Sequence, residues 1–204
     1  MSKKLLDFAR SLNLPLCAQQ VAQLEQYAQC IWEKKEMLNL TSVADRNEIL
    51  LRHICDGLQG AALVRELAAR REMEEFSLLD AGSGAGYIGL TMAVALPAAQ
   101  VMLVESLERR CAFLNWAVMR LGVQNVAVKR VRLGENKQLQ SDFVTERAMG
   151  PLEEIFPVCW EAVKPGGAFV AYQGASAQAG NERSYTLPWD EKERFLVVFE
   201  KNEK

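Results

Sequence analysis

Histidine is almost missing from this sequence. His53 is the only one among 204 residues, and the five cysteines (Cys17, Cys30, Cys55, Cys111 and Cys159) stand apart, with no CxxC spacing. A zinc or similar site needs a cluster of such ligands, so no metal is expected. The odd, scattered set of thiols reads as reduced core cysteines of a cytoplasmic protein, not as a disulfide framework. An excess of positive charge is lacking too. Lys and Arg number 24 against 26 Asp and Glu, a formal net charge of −2. A chain that is basic throughout is thereby excluded, and only local patches are left for nucleic acid. Long apolar runs and a convincing signal peptide are absent, so neither membrane nor secretion is expected. The sequence also lacks repeats and low-complexity tracts.

What is present is a chain 50% apolar, enough to bury a real core in one domain, or in one domain with an appendage. Residues 1–72 read as helical, with no clear strand, and form an expected N-terminal helical cap. In the stretch "AQQVAQLEQYAQCIWEKKEML", Val21, Leu24, Ala28, Ile31 and Trp32 fall on one helical face. "DRNE" at 45–48 reads as a capping box in which Asp45 accepts backbone N–H groups and Glu48 reaches back. A helix follows over 48–71, with Gly57 and Gly60 as points where it could break.

From residue 73 to 204 short apolar runs alternate with helical patterns. "FSLLDAG", "AQVMLVES", "NVAVKRV", "DFVTER", "AFVAYQ" and "RFLVVFE" read as strands. Helices lie between the first five, over "YIGLTMAVALP", "LERRCAFLNWAVMRLG" and "PLEEIFPVCWEAVKPGG". This alternation predicts an α/β, Rossmann-like core with a mostly parallel sheet and helices on both faces. Ligands of such sheets bind outside the carboxyl ends of the strands.

The loop after the first of these strands is "LLDAGSGAGYIGL". Gly82, Gly84 and Gly86 alternate, and Gly89 follows. The spacing fits both a dinucleotide fingerprint and the nucleoside turn of S-adenosylmethionine enzymes. Glu105, at the end of the next strand, suits a ribose in either case, and as a plain alternative it is a helix N-terminal acid. Asp80 separates the two readings. A carboxylate beside a pyrophosphate is unfavourable, whereas beside the amino group and sulfonium of S-adenosylmethionine it is favourable. "KPGG" at 164–167 turns a helix into the fifth strand, as in many class I S-adenosylmethionine-dependent methyltransferases. That fold class and that cofactor are therefore expected.

On these residues the chain resembles the RsmG (GidB) family of 16S ribosomal RNA guanine-N7 methyltransferases. The likeness runs from about residue 20 to the end, through "LNLTSV" at 38–43, "LRHICDGL" at 51–58, the glycine turn, "ESLERRCAFL" at 105–114, "TERAMGPL" at 145–152 and the closing "RFLVVFEK". The resemblance implies methyl transfer to 16S ribosomal RNA or a small-subunit assembly intermediate. It implies donor contacts at Gly82, Tyr87, Leu133, Gly134 and Arg147, with Arg147 also the catalytic arginine, and these join Asp80, Gly84, Gly86 and Glu105 as read from the turn itself. Asn39, Arg52, His53, Arg130 and Arg132 are the residues expected to meet RNA, and Asp56 matches a further family position on the helical side.

The chain also departs from the family. Ile88 stands where proline is usual, Gly134 where an acid is usual, and Gln173-Gly174 replaces Lys-Gly. The segment 175–187 is short, which predicts a trimmed sixth strand. A methyltransferase with another substrate, an inactive cofactor- or RNA-binding relative and, least favoured, an NAD oxidoreductase are the competing readings. Among single residues, Arg147 has the alternative of a structural arginine paired with Glu146 or Asp142. His53 has that of a hydrogen-bonded structural residue with Asp56 as its i+3 neighbour.

Overall fold

A computed structural model of the chain describes residues 2–38, 45–135, 139–187 and 189–203. Helices α1 (Ser2–Ser11), α2 (Ala18–Leu38) and α3 (Arg46–Glu48) come first. A π-helical turn over Ile49–Ile54 leads into α4 (Cys55–Arg70). The alternating part follows: β1 (Phe76–Ala81), α5 (Gly89–Ala95), β2 (Ala99–Glu105), α6 (Glu108–Leu121), β3 (Val126–Arg130), β4 (Ser141–Arg147), α7 (Leu152–Glu161), β5 (Val163–Gln173), β6 (Asn181–Leu187) and β7 (Asp190–Glu200).

The seven strands form one sheet in the order β3-β2-β1-β4-β5-β7-β6. The first five are parallel, and β7 enters antiparallel between β5 and β6. The strand order reverses between β1 and β4, so the loops after these two strands open a crevice at the carboxyl edge of the sheet. Apolar residues fill both faces. On one, Leu78, Leu103, Phe143 and Val170 meet the N-terminal helices and α5. On the other, Leu79, Val144, Phe169 and Val197 pack beneath α7.

The N-terminal helices are continuous with the first of these cores. Helix α2 runs alongside α5 and α6 and donates side-chain amides to their carbonyls, Gln20 to Val94 at 2.7 Å and Gln23 to Leu121 at 2.9 Å. Higher up, the buried Tyr27 hydroxyl donates to the Ala85 carbonyl inside the glycine turn at 2.6 Å.

Several local expectations change. Helix α4 passes through Gly57 and Gly60 unbroken. A Cβ at Gly60 would lie 1.8 Å from the Tyr172 hydroxyl, so close packing explains this glycine better than a helix break. Asp45 does cap α3, accepting from the Asn47 amide at 2.9 Å. Glu48, however, pairs with Arg52 at 2.6 Å. Helix α7 ends at Glu161, and "KPGG" already belongs to β5. Strand β6 is not among the apolar runs read as strands. Its polar sequence "NERSYTL" has no apolar alternation, yet it forms a full edge strand paired with β7 along one side. An edge strand with one wet side needs little hydrophobic patterning.

Candidate functional site

The crevice between β1 and β4 is built first by the glycine turn. Gly82 has φ +62°, and a Cβ there would meet Met149 at 3.0 Å. Gly86 has φ +84°, with Leu114 at 2.7 Å from its would-be Cβ. Both positions thus demand glycine, for conformation and for space. Two carboxylates lock the turn. Asp80, 2% exposed, accepts the Gly89 amide at 3.0 Å and the Thr145 hydroxyl at 3.3 Å. Glu105 accepts the Gly84 amide at 2.9 Å through one oxygen and the Leu107 amide at 2.8 Å through the other. It therefore ties the glycine turn to the start of α6. Ser106 Oγ at 3.5 Å and Arg110 Nη1 at 3.6 Å also approach these oxygens.

Burial pushes the Asp80 carboxyl up to about 6, against the opposing hydrogen bonds from Gly89, Ser83 and Thr145 and the charge of Arg147. The site thus contains a buried acid that a cation would help to ionise. Asp80, Gly82, Gly84, Tyr87 and Arg147 line one cavity of about 200 Å³. Gly82 and Glu105 continue into a slot of about 430 Å³, walled by Val131, Leu133, Ile155 and Val158. Ser106, Arg110 and Glu154 join Glu105 as its polar lining. Arg132 also borders the slot, and Gly134 packs against Val158.

Arg147 ends β4 and projects into the crevice. Its guanidinium carbon sits 5.1 Å from the Tyr87 ring centroid, within cation–π range. His53 stacks on Tyr87 at 4.1 Å. The carboxylate partner of Arg147 is neither Glu146 nor Asp142. It is Asp56, whose Oδ2 accepts from Nη1 at 3.0 Å. Asp142 is engaged elsewhere, by Ser77 and Lys164. Asp56 is likewise taken by Arg147 and not by His53.

A second cavity, about 330 Å³, lies on the other side of Arg147, among Asp56, Tyr172, Gln173, Tyr185, Lys192 and Arg194. Three of its lining residues, Arg147, Lys192 and Arg194, are cations. Tyr185, Lys192 and Arg194 come from β6 and β7, and sequence reasoning missed them as site residues. The motif "RFLVVFEK" contains Arg194, but nothing in its pattern aims the side chain at the crevice. Glu146, the residue before Arg147, is also buried. It accepts the Met149 amide at 3.3 Å and the Gln173 side-chain amide at 3.4 Å, and burial raises its carboxyl to about 7.

Burial and the nearby cations Arg147, Arg52 and Arg194 hold the His53 imidazole down at about 3. It is neutral at physiological pH, and its Nε2 has no hydrogen-bond partner. Arg52 points to Glu48 and Arg130 to Glu108, at 2.9 Å, both on open surface. Asn39 lies outside the described residues. Among the described residues, no helix is long and apolar enough to cross a membrane.

Comparison with known proteins agrees with this geometry. A family model described as "GidB: rRNA small subunit methyltransferase G" matches residues 20–203. The ribosomal RNA small subunit methyltransferase G of Limosilactobacillus reuteri is 32% identical, over 93% of this chain and 86% of its own length. The protein of the same name from Geobacillus kaustophilus is 30% identical, over 93% and 86%. Among solved structures, an RNA methyltransferase from Salinibacter ruber in complex with S-adenosyl-L-homocysteine superposes with a TM-score of 0.54. It is 18% identical, over 70% of this chain and 92% of that one. The METTL16 methyltransferase domain superposes with a TM-score of 0.58 at 13% identity, over 91% and 81%. At such identities the likeness is one of fold, and that fold is the class I methyltransferase fold.

Proposed function

The chain belongs to the GidB family, that of rRNA small subunit methyltransferase G, and is a methyltransferase of small-subunit ribosomal RNA; we propose that it transfers the methyl group of S-adenosylmethionine to N7 of a guanine in 16S rRNA. One observation carries this reading. Arg147 forms part of the wall of two cavities, a glycine-lined one that holds Asp80 and one that holds Lys192 and Arg194.

The residues of the first cavity and its slot fit the donor. Asp80 is a buried acid suited to a cationic amino acid moiety, Glu105 to ribose hydroxyls, and the slot through Leu133 to an adenine. S-adenosylmethionine supplies an electrophilic methyl group on sulfonium. Gly82, Gly84 and Tyr87 shape the floor that this ligand needs, whereas Gly86 lies beneath the turn against Leu114. The same reading gives the second cavity to the acceptor nucleotide, with Lys192 and Arg194 near its phosphates. Gln173 supplies no cation there, but Lys192 lines the same cavity.

N7 of guanine already carries a lone pair, so no proton must leave before attack and no strong general base is needed. A neutral, half-buried His53 is consistent with that. The work of the chain is orientation, which supplies up to about 7 to 11 kcal/mol in favourable cases. Arg147 has a planar fork suited to guanine O6 or to a phosphate oxygen. Residues 1–72 then act as a cap that holds the glycine turn from above, and 73–204 as the methyltransferase core. The substrate assigns the protein to the cytoplasm, with ribosomal RNA or an assembling small subunit as its partner.

The test is incubation with labelled S-adenosylmethionine and 16S rRNA from a strain that lacks the protein, followed by mapping of the labelled base. Label on N7 of one guanine is expected. Label on another atom, or bound donor with no transfer to naked RNA or to small subunits, overturns the proposal.

A further inference from the structure

We infer that Asp56, at the start of α4, is the positioning residue of Arg147, so that the N-terminal helices set the geometry of the crevice arginine. The inference rests on the reading of Arg147 as the group that meets the acceptor. Asp56 is 8% exposed. Its Oδ2 takes Arg147 Nη1 at 3.0 Å, and its Oδ1 takes the Tyr185 hydroxyl at 3.0 Å, with Arg194 Nε at 3.9 Å. Its backbone carbonyl accepts the Tyr172 hydroxyl at 3.3 Å. One acid thus ties together the ends of β4 and β5 and both added strands.

Local structure explains how α4 reaches so far. A Cβ at Gly57 would stand 2.7 Å from Thr91 and 2.8 Å from the Tyr87 carbonyl. Only glycine lets this helix press flush on the glycine turn, and that approach carries its neighbour Asp56 to Arg147. The π-helical turn Ile49–Ile54 ends directly before Cys55. Such turns rotate the following residues relative to a regular helix.

Arg147 is then held at two points, one nitrogen on Asp56 and one ring face on Tyr87. The guanidinium has five N–H donors, and fixing it this way leaves donors to present to a ligand in a set orientation. A buried pair of this kind is a poor source of stability, because desolvation offsets the attraction. Desolvation indeed raises the Asp56 carboxyl above its ordinary value, against the pull of Arg147, Tyr185 and Arg194. Orientation is the better account of the pair.

The test uses the full chain with Asp56→Asn, which preserves shape and removes charge, alone and combined with Arg147→Lys. Displacing a positioned group by about 1 Å can cost about a hundredfold. Asp56→Asn is therefore expected to lower kcat for methyl transfer to 16S rRNA by about ten- to a hundredfold. The RNA KM and S-adenosylmethionine affinity should stay within about threefold, a small shift on the scale of tenfold per 1.4 kcal/mol. In the Arg147→Lys background the further loss should be small, since both changes act through one group. Asp56→Glu should recover part of the rate.

A second readout needs no turnover. Nitrogen-15 NMR of the Arg147 guanidinium should show hindered rotation in the parent protein and faster rotation in Asp56→Asn. Fully additive losses, a change in RNA KM alone, or unchanged guanidinium rotation each overturn the inference. Hindered rotation that Asp56→Asn releases, in a protein that never methylates N7 of guanine, would overturn the functional reading but not this one.

Discussion

Tyr27 in α2 donates its hydroxyl to the Ala85 carbonyl at 2.6 Å, in the middle of the glycine turn and 58 residues away in sequence. The phenol is fully buried, and burial lifts its ionisation far above the ordinary tyrosine range. It stays a donor at every working pH. An N-terminal helix therefore fixes the backbone that the methyl donor would contact.

Tyr27→Phe leaves that carbonyl unpaired, at a cost of about 1–3 kcal/mol. Urea denaturation should show the loss, and calorimetric titration should show weaker S-adenosylmethionine binding. A variant with parental donor affinity would mean that the turn holds its shape without the helix.

Asp80 makes donor binding pH-dependent. Its folded value is raised to about 6 by burial, so it is ionised above that pH and neutral below. A cationic ligand prefers the ionised form, so affinity should be full near pH 8 and fall as pH drops through 6. In the free protein the linkage has the opposite direction. The raised value means that the folded state holds its proton more tightly than the unfolded chain. That contribution to stability is fully present below about pH 4, the unfolded value, and is lost as pH rises through 6. Asp80→Asn should abolish the Asp80 part of both trends. An unchanged affinity profile in Asp80→Asn would place the relevant proton elsewhere.

His53 has the reverse sign. Its folded value is held at about 3, whereas an unfolded histidine titrates near 6.5. The neutral form contributes stability above pH 6.5, and that contribution falls as acid protonates the unfolded chain. His53→Phe, which keeps an aromatic ring against Tyr87, should flatten thermal stability between pH 6.5 and 4 while preserving methyl transfer within a few-fold. A rate loss of a hundredfold or more would make His53 a participant in the chemistry.

Arg147→Ala is expected to abolish methyl transfer and leave S-adenosylmethionine affinity within several-fold. The comparison is made by filter-bound radioactivity for transfer and by titration for binding. Transfer at the parental rate would reduce Arg147 to the structural partner of Asp56.

Lys192 and Arg194 are assigned to phosphate contacts. Each phosphate neutralised on a single strand contributes about −0.7 to the slope of log affinity against log salt. Lys192→Ala should weaken RNA binding and make that slope shallower by about this amount. An unaltered slope would remove Lys192 from the RNA surface.

Much of the donor side of this protein could be read along the chain. The glycine turn, Asp80 and Glu105 are local signals, because each lies at the end of a strand whose apolar run marks it. Strand alternation settled the class of fold, and "RAMGPL" marked Arg147. The carboxylate that holds Arg147 was not legible, since Asp56 sits 91 residues away and helical spacing pointed it towards His53. Nor was β6 legible, because an exposed edge strand carries little hydrophobic pattern. The sequence by itself thus determined which residues build the glycine-lined crevice proposed for the methyl donor, through motifs confined to single loops. Only the tertiary structure decided what stands on the far side of Arg147. That cavity takes its residues from α4, β5, β6 and β7, and packing and the antiparallel return of β7 bring those elements together where no local spacing records it.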